Sequence, residues 1–372
     1  MSRFAGWSPA RSVIALLALN ALATSRAAVA DNWPNWRGPS GTGTVATAVG
    51  PIEFGAPDSL AWTVDLPGLG ASTPAVWGDA IVLTCAIDGK NAVVCYGLDG
   101  QPRWERKLGQ ESPAKHRDAS PANPSPAIDG ERAIAYFKSG DLAAFDLDGN
   151  LLWEKNLQQT YGDNTLWWDL GTSPVLVDGK VVVAVMQEGD SFLVALDVAS
   201  GDEMWKTARK YERPRESDQA YTTPQAIRSG DRTILVTWGA DHLTGHDAAT
   251  GELVWDCGGF NPNNEGMWRV IASAAIADGV AVVPYGRGNF VAGVKLDGRG
   301  DVTATHRVWQ KEGIGADVPT PAIVGDRAYV LGDQGKLVCL AVATGEVFWQ
   351  ADLPRSRHKF YSSPLVTGDL LY

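Results

Sequence analysis

Five polar and aromatic segments hold the residues best suited to chemistry. They are Lys115-His116-Arg117-Asp118, Asp163 through Asp169, Glu216 through Tyr221, Glu265 through Arg269, and Arg357 through Tyr361. Each lies a few residues ahead of a hydroxyl-bearing residue followed by Pro or Ala, where an apolar run begins. Asp317 occupies the same place ahead of Pro319-Thr320-Pro321. Mixed acid, base and aromatic groups that converge on one site suit the capture of a small polar ligand or a peptide. The candidate ligand-binding residues are Asp169, Tyr221, Arg269, Asp317 and Tyr361, with Trp168 and Trp268 as stacking walls.

Patterns for covalent or metal chemistry are weaker. Five scattered His and no C-x-x-C give no zinc spacing. No Ser/His/Asp order stands out, so no catalytic residue is assigned. Asp146-Leu147-Asp148-Gly149-Asn150 lacks the later Glu of a calcium loop and reads as a β-turn. Gly286-Arg287-Gly288 is a turn without the strand–helix context of a phosphate loop, and Arg299-Gly300-Asp301 falls in another turn.

The elements that position these segments repeat. Residues 172–205 contain four short apolar or β-branched runs, predicted as strands over Pro174–Val177, Val181–Gln187, Phe192–Asp197 and Asp202–Lys206. Asp178-Gly179, Glu188-Gly189-Asp190 and Ser200-Gly201 punctuate them, which is hairpin chemistry. The same plan recurs along the chain. Pro74, Pro126, Pro174, Pro224, Ala274, Pro321 and Pro364 lie 52, 48, 50, 50, 47 and 43 residues apart. Trp62, Trp104, Trp153, Trp205, Trp255, Trp309 and Trp349 keep a similar interval. Four strands at a period near 50 residues describe blades of an all-β propeller. Each blade buries its faces on its neighbours, so the repeated Trp and Gly are read as architecture. The loops between blades then carry the candidate site to the mouth of a central channel.

The repeats Ala195-Leu196-Asp197-x-x-Ser200-Gly201-x-x-x-Trp205, Gly245-His246-Asp247-Ala248-Ala249-Thr250-Gly251-Glu252-Leu253-Val254-Trp255 and Ala341-Val342-Ala343-Thr344-Gly345-Glu346-Val347-Phe348-Trp349 resemble a known docking motif. It is the A-x-D-x-x-T-G-x-x-x-W motif of the PQQ-like (pyrroloquinoline-quinone-type) β-propeller repeat family. The match runs over residues 60–372. The lead-in Asn32-Trp33-Pro34-Asn35-Trp36-Arg37-Gly38-Pro39 is similar to that of exported planctomycete-type PQQ-like repeat proteins. The family also includes quinoprotein alcohol dehydrogenases and the assembly factor BamB. Eight blades close the ring in such relatives. The resemblance thus implies six complete blades here plus the start of a seventh, and a C-terminally incomplete propeller. Quinoprotein relatives hold PQQ with adjacent bridged cysteines, a stacking Trp and calcium, and this chain has no Cys-Cys pair.

Domain boundaries follow. Arg3 and Arg11 precede the apolar run Val13–Ala23, and Ala28-Val29-Ala30 ends in a small-x-small pattern. Residues 1–30 therefore read as a signal peptide cleaved after Ala30, placing the protein in the periplasm or outside the cell. No Cys near the cut supports a lipid anchor, and the run is too short for a membrane span. Residues 31–60 read as an irregular lead-in whose tryptophans pack on the first or last blade, and 61–372 as the propeller. Ala61–Val64 is the candidate outer strand of the last blade. Cleavage removes Arg3, Arg11 and Arg26 and no acid, taking the formal charge from −11 to −14. That balance excludes a general nucleic-acid binder. Cys85 and Cys95 flank a hairpin turn. A three-residue loop would set them opposite each other and permit a bridge, whereas a two-residue loop would send them to opposite faces.

The expectation is an exported, monomeric scaffold that binds a protein, peptide or small polar ligand on its loop face, with no cofactor assigned. The alternative is a PQQ-dependent quinoprotein oxidoreductase using calcium. A third possibility is strand addition at an exposed sheet edge.

Overall fold

Residues 180–185 and 192–197 are almost wholly buried along their length. Strands covered on both faces must be apolar throughout, which explains their continuous Val, Leu and Ala runs. In the computed structural model, which describes residues 32–45, 50–53 and 59–372, these two strands form the middle of a four-stranded antiparallel sheet. Its strands are Val175–Val177, Lys180–Val185, Phe192–Asp197 and Glu203–Ala208, within about two residues of the predicted bounds. Val177 pairs with Lys180 across Asp178-Gly179, whose positive φ values of 45° and 73° fit a type I′ turn. The outer strand is mostly exposed and buries Trp205. Sheets of the same order lie in residues 75–110, 127–156, 225–257, 275–312 and 322–352. The expected signal peptide lies outside the described residues.

Four closing tryptophans reach into the turn before the last strand of the next sheet, whereas Trp255 Nε1 is buried without a hydrogen-bond partner. The indole Nε1 of Trp104 donates to Leu147 O, Trp153 to Val198 O, Trp205 to Ala248 O and Trp309 to Val342 O, at 2.8–3.1 Å. The rings lie on Gly149, Gly201, Gly251 and Gly345, each with positive φ. A Cβ there would come within 2.5–2.7 Å of the ring or its neighbour. Glycine is therefore required twice, for the turn and for the room. The Asp146–Asn150 segment is one of these turns: Asp146 Oδ1 accepts the N–H groups of Asp148 and Asn150.

Two details depart from expectation, and a third settles the cysteine alternatives. Ala61–Val64 pairs in no strand, yet Trp62 still docks, donating to Leu98 O at 2.7 Å over Gly100. The docking needs only the indole and the turn, not a ladder. In the fifth sheet the turn is enlarged, and Gly300–Asp301 pairs in parallel with the strand Leu253–Cys257 of the fourth. Arg299-Gly300-Asp301 thus includes an added edge strand. The hairpin joining Ala80–Ile87 to Lys90–Gly97 has a two-residue loop, which sets Cys85 opposite Ala92 and Cys95 opposite Val82. The two thiols sit in different core clusters, buried and unbridged.

A belt of hydroxyls links the sheets where their inner strands begin. Ser125 Oγ accepts Thr73 N, Ser173 Oγ accepts Ser125 N, and Thr223 Oγ1 accepts Ser173 N. The series continues through Ser273, Thr320 and Ser363, all at 2.9–3.1 Å. This is why a hydroxyl precedes each Pro or Ala of the repeat.

The lead-in runs across these inner strands. Trp33 exchanges both backbone bonds with Val76, Pro34 O accepts Ile128 N, and Thr42 O accepts Ile323 N. Thr44–Val45 then pairs in parallel with Val366–Thr367. Arg37 is buried and donates through Nη2 to Pro321 O (3.2 Å) and Pro364 O (2.7 Å). Burial lowers its pKa to about 10, so it stays charged at neutral pH. Arg37→Met is expected to leave both carbonyls without that donor and to cost about 1–3 kcal/mol. An unchanged melting temperature would show that this bond is dispensable.

Candidate functional site

The segments that cross from one sheet to the next converge on a cavity of about 450 Å³. The belt fixes its rim, because each crossing segment enters its inner strand through a residue whose N–H or hydroxyl is tied to the neighbouring sheet. Of the sequence candidates, Trp168, Asp169, Tyr221, Arg269 and Tyr361 line it. Trp36 lines it too. The lead-in crosses the inner strands at Val76, Ile128 and Ile323, past the belt hydroxyls, and this path carries Trp36 to the cavity.

Asp169 anchors the wall and faces inward to the protein. Both carboxylate oxygens accept Lys115 N at 2.9 Å, one also accepts His116 N, and the other receives Lys138 Nζ at 2.5 Å. Lys138 itself is buried and also donates to Pro113 O. Burial alone would raise the Asp169 pKa; the Lys138 ammonium and the two backbone N–H groups outweigh it and hold the carboxyl below its ordinary value. This carboxylate organises a loop and is not poised as a base.

Trp168 is held by Glu216, only 1% exposed, whose Oε1 accepts the indole Nε1 at 2.5 Å. The same oxygen lies 3.2 Å from Arg269 Nε. Tyr221 is buried, with its hydroxyl accepting Trp168 N at 3.3 Å, and burial raises its pKa. His116 meets the Trp168 ring edge-on at 5.8 Å. One buried acid therefore sets both a stacking face and a guanidinium.

Two predicted residues do not line the cavity. Trp268 donates its N–H to Ser217 Oγ and tilts onto Phe290, while its neighbour Arg269 reaches the cavity. Asp317 stands behind Arg269, with Oδ2 3.6 Å from Arg269 Nη2 and from Arg287 Nη2. Burial raises its pKa, which the two arginines partly offset. Lys138, Glu216 and Trp36 are among the site residues that the sequence candidates omit, as are His116, Asp118 and the belt hydroxyls. Lys138 and Trp36 come from a turn and the lead-in, remote from the crossing segments.

Aromatic faces from Trp36, Trp168, Tyr221 and Tyr361 supply stacking surface. Thr223, Thr320 and Ser363 each accept an N–H in the belt and keep a hydroxyl proton to donate. Calcium would need six to eight oxygens. Of the two lining carboxylates, Asp169 is spent on nitrogen donors, leaving Asp118. Among the described residues no three His, Cys, Asp or Glu gather for a metal. The residues present do not fit a calcium-held quinone.

The family model described as outer membrane protein assembly factor BamB matches residues 39–223 and 217–372. An outer membrane protein assembly factor BamB of Yersinia pestis is 31% identical over 150 residues, 40% of this chain and 36% of that protein. The aligned stretch thus spans about a third of that relative's length. Among solved structures, BamB of Moraxella catarrhalis matches with a TM-score of 0.54 at 16% identity, over 81% of each chain. The quinohemoprotein alcohol dehydrogenase of Comamonas testosteroni matches with a TM-score of 0.58 at 11% identity, over 93% of this chain and 76% of its own. These two likenesses concern the fold alone.

Proposed function

The chain belongs to the PQQ-repeat family described as outer membrane protein assembly factor BamB, and on that premise we propose that it is an exported, non-catalytic propeller scaffold. It captures a segment of a protein partner, or a small polar ligand, in the loop-face funnel. The observation that carries this reading is the make-up of the funnel: aromatic faces and free hydroxyl donors, with Asp169 locked to Lys138. Such a surface binds and orients; its imidazole, His116, and its other carboxylate, Asp118, lie 3.8 Å apart and face each other. Export after Ala30, a monomeric state and the absence of a bound cofactor are parts of the same proposal. Among the described residues no helix is long and apolar enough to cross a membrane.

An array of immobilised random octapeptides, probed with the labelled full chain, tests the peptide arm. A defined set of sequences is expected to bind, and Trp168→Ala or Tyr361→Ala to weaken them about tenfold or more by removing a stacking face. If no sequence is enriched over a denatured control, the peptide arm fails. Titration with PQQ, with and without calcium, should give no saturable binding; a saturable response would favour the oxidoreductase alternative.

A further inference from the structure

Asp317 turns away from the funnel and opens into a second cleft of about 320 Å³ between the fifth and sixth sheets. That size is near the lower end of the roughly 300–1,000 Å³ typical of small-molecule sites. Its walls approach closely because they are glycine. A Cβ on Gly315 would meet Phe290 O at 2.5 Å, and one on Gly332 would lie 3.1 Å from Gly315 O.

The cleft carries both signs of charge, and both are incompletely matched. Asp317, 9% exposed, has a buried Oδ1 without a hydrogen-bond partner. Asp333 Oδ1 accepts the N–H groups of Asp317 and Val318, while its buried Oδ2 has none. Buried carboxylate oxygens call for N–H donors. Arg287 lies 3.6 Å from Asp317, and Lys336 and Lys359 are exposed; neither lysine has a hydrogen bond or ion pair among the described residues. These cations call for an anion. A simple anion would meet the two acids, and a simple cation would meet the three bases.

We propose that this cleft binds a small zwitterion of the α-amino acid class, its ammonium on Asp317 and Asp333 and its carboxylate on Arg287, Lys336 and Lys359. Charge-assisted hydrogen bonds at both ends give it selectivity over singly charged ligands. The site is separate from the funnel, and the two meet where Asp317 faces Arg269 of the funnel wall at 3.6 Å.

Calorimetric titration of the full chain with each of the protein amino acids tests this. At least one should bind saturably, and its N-acetyl and methyl ester derivatives should each bind about tenfold or more weakly. Asp317→Asn should weaken the best ligand to a similar extent. Lys359→Ala, at an exposed position, should weaken it with an unchanged melting temperature, which separates binding from folding. Silence across the whole amino acid set would overturn the proposal. Equal affinity for the blocked derivatives would overturn it as well, as would saturation by inorganic phosphate or calcium ions in place of amino acids.

Discussion

Asp169→Ala should lower the stability of the chain by about 3–5 kcal/mol, the usual cost of removing one partner of a buried ion pair. The substitution strands the Lys138 ammonium in a buried turn and releases Lys115 N and His116 N from their acceptor. Urea denaturation measures it, and a midpoint matching wild type would mean that water replaces the carboxylate at no cost. The pH dependence has a definite sign. Because the folded carboxyl titrates below its ordinary value, its contribution is complete above the unfolded pKa of about 4 and is lost as pH falls through the folded value. Asp169→Asn should therefore flatten part of the acid limb of the stability profile. A variant whose acid limb remained as steep would assign that limb to other carboxylates.

Trp205→Ala should cost about 3–5 kcal/mol, as for other buried large side chains cut to alanine. Its ring is 8% exposed, bonds Ala248 O and fills the space over Gly251. Trp349 occupies the identical place in the repeat, yet is 41% exposed and leans on Tyr329. Trp349→Ala should cost less than about 1 kcal/mol. The pair of denaturation curves separates sequence from environment. Equal losses at the two positions would mean that the motif carries the stability and its docking partner does not.

The repeat was legible because its physics is local. Strands buried on both faces must be apolar, hairpins need Asp-Gly, and a Trp lying on a turn needs Gly beneath it. Hence the strand bounds of 172–205 were close, and five of the seven site candidates line one cavity. Trp268 and Asp317 were misplaced because neighbouring residues of a loop can face different ways, and spacing does not reveal which. Lys138 and Glu216 were missed for another reason. Their importance is a long-range pairing, with Lys138 meeting Asp169 across 31 residues and Glu216 meeting Trp168 across 48. The belt hydroxyls were visible as Ser or Thr before each Pro, but their role depends on the adjacent sheet.

The residues that cross the inner strands impose an order of events on folding. Arg37 finds its carbonyl at Pro364, 327 positions along the chain, and Thr44 pairs with Val366. Contacts so remote in sequence form late, because the intervening chain must be ordered before they can close. During synthesis the lead-in emerges ahead of every sheet, yet it can complete its contacts only after the sixth sheet and Val366 exist. Trp33 can pair with Val76 once the first sheet forms, but the Arg37 guanidinium stays uncommitted until Pro321 and Pro364 are in place. A segment made before every sheet is thus the last to be fully seated, and Arg37 and Thr44 lock only in that final step.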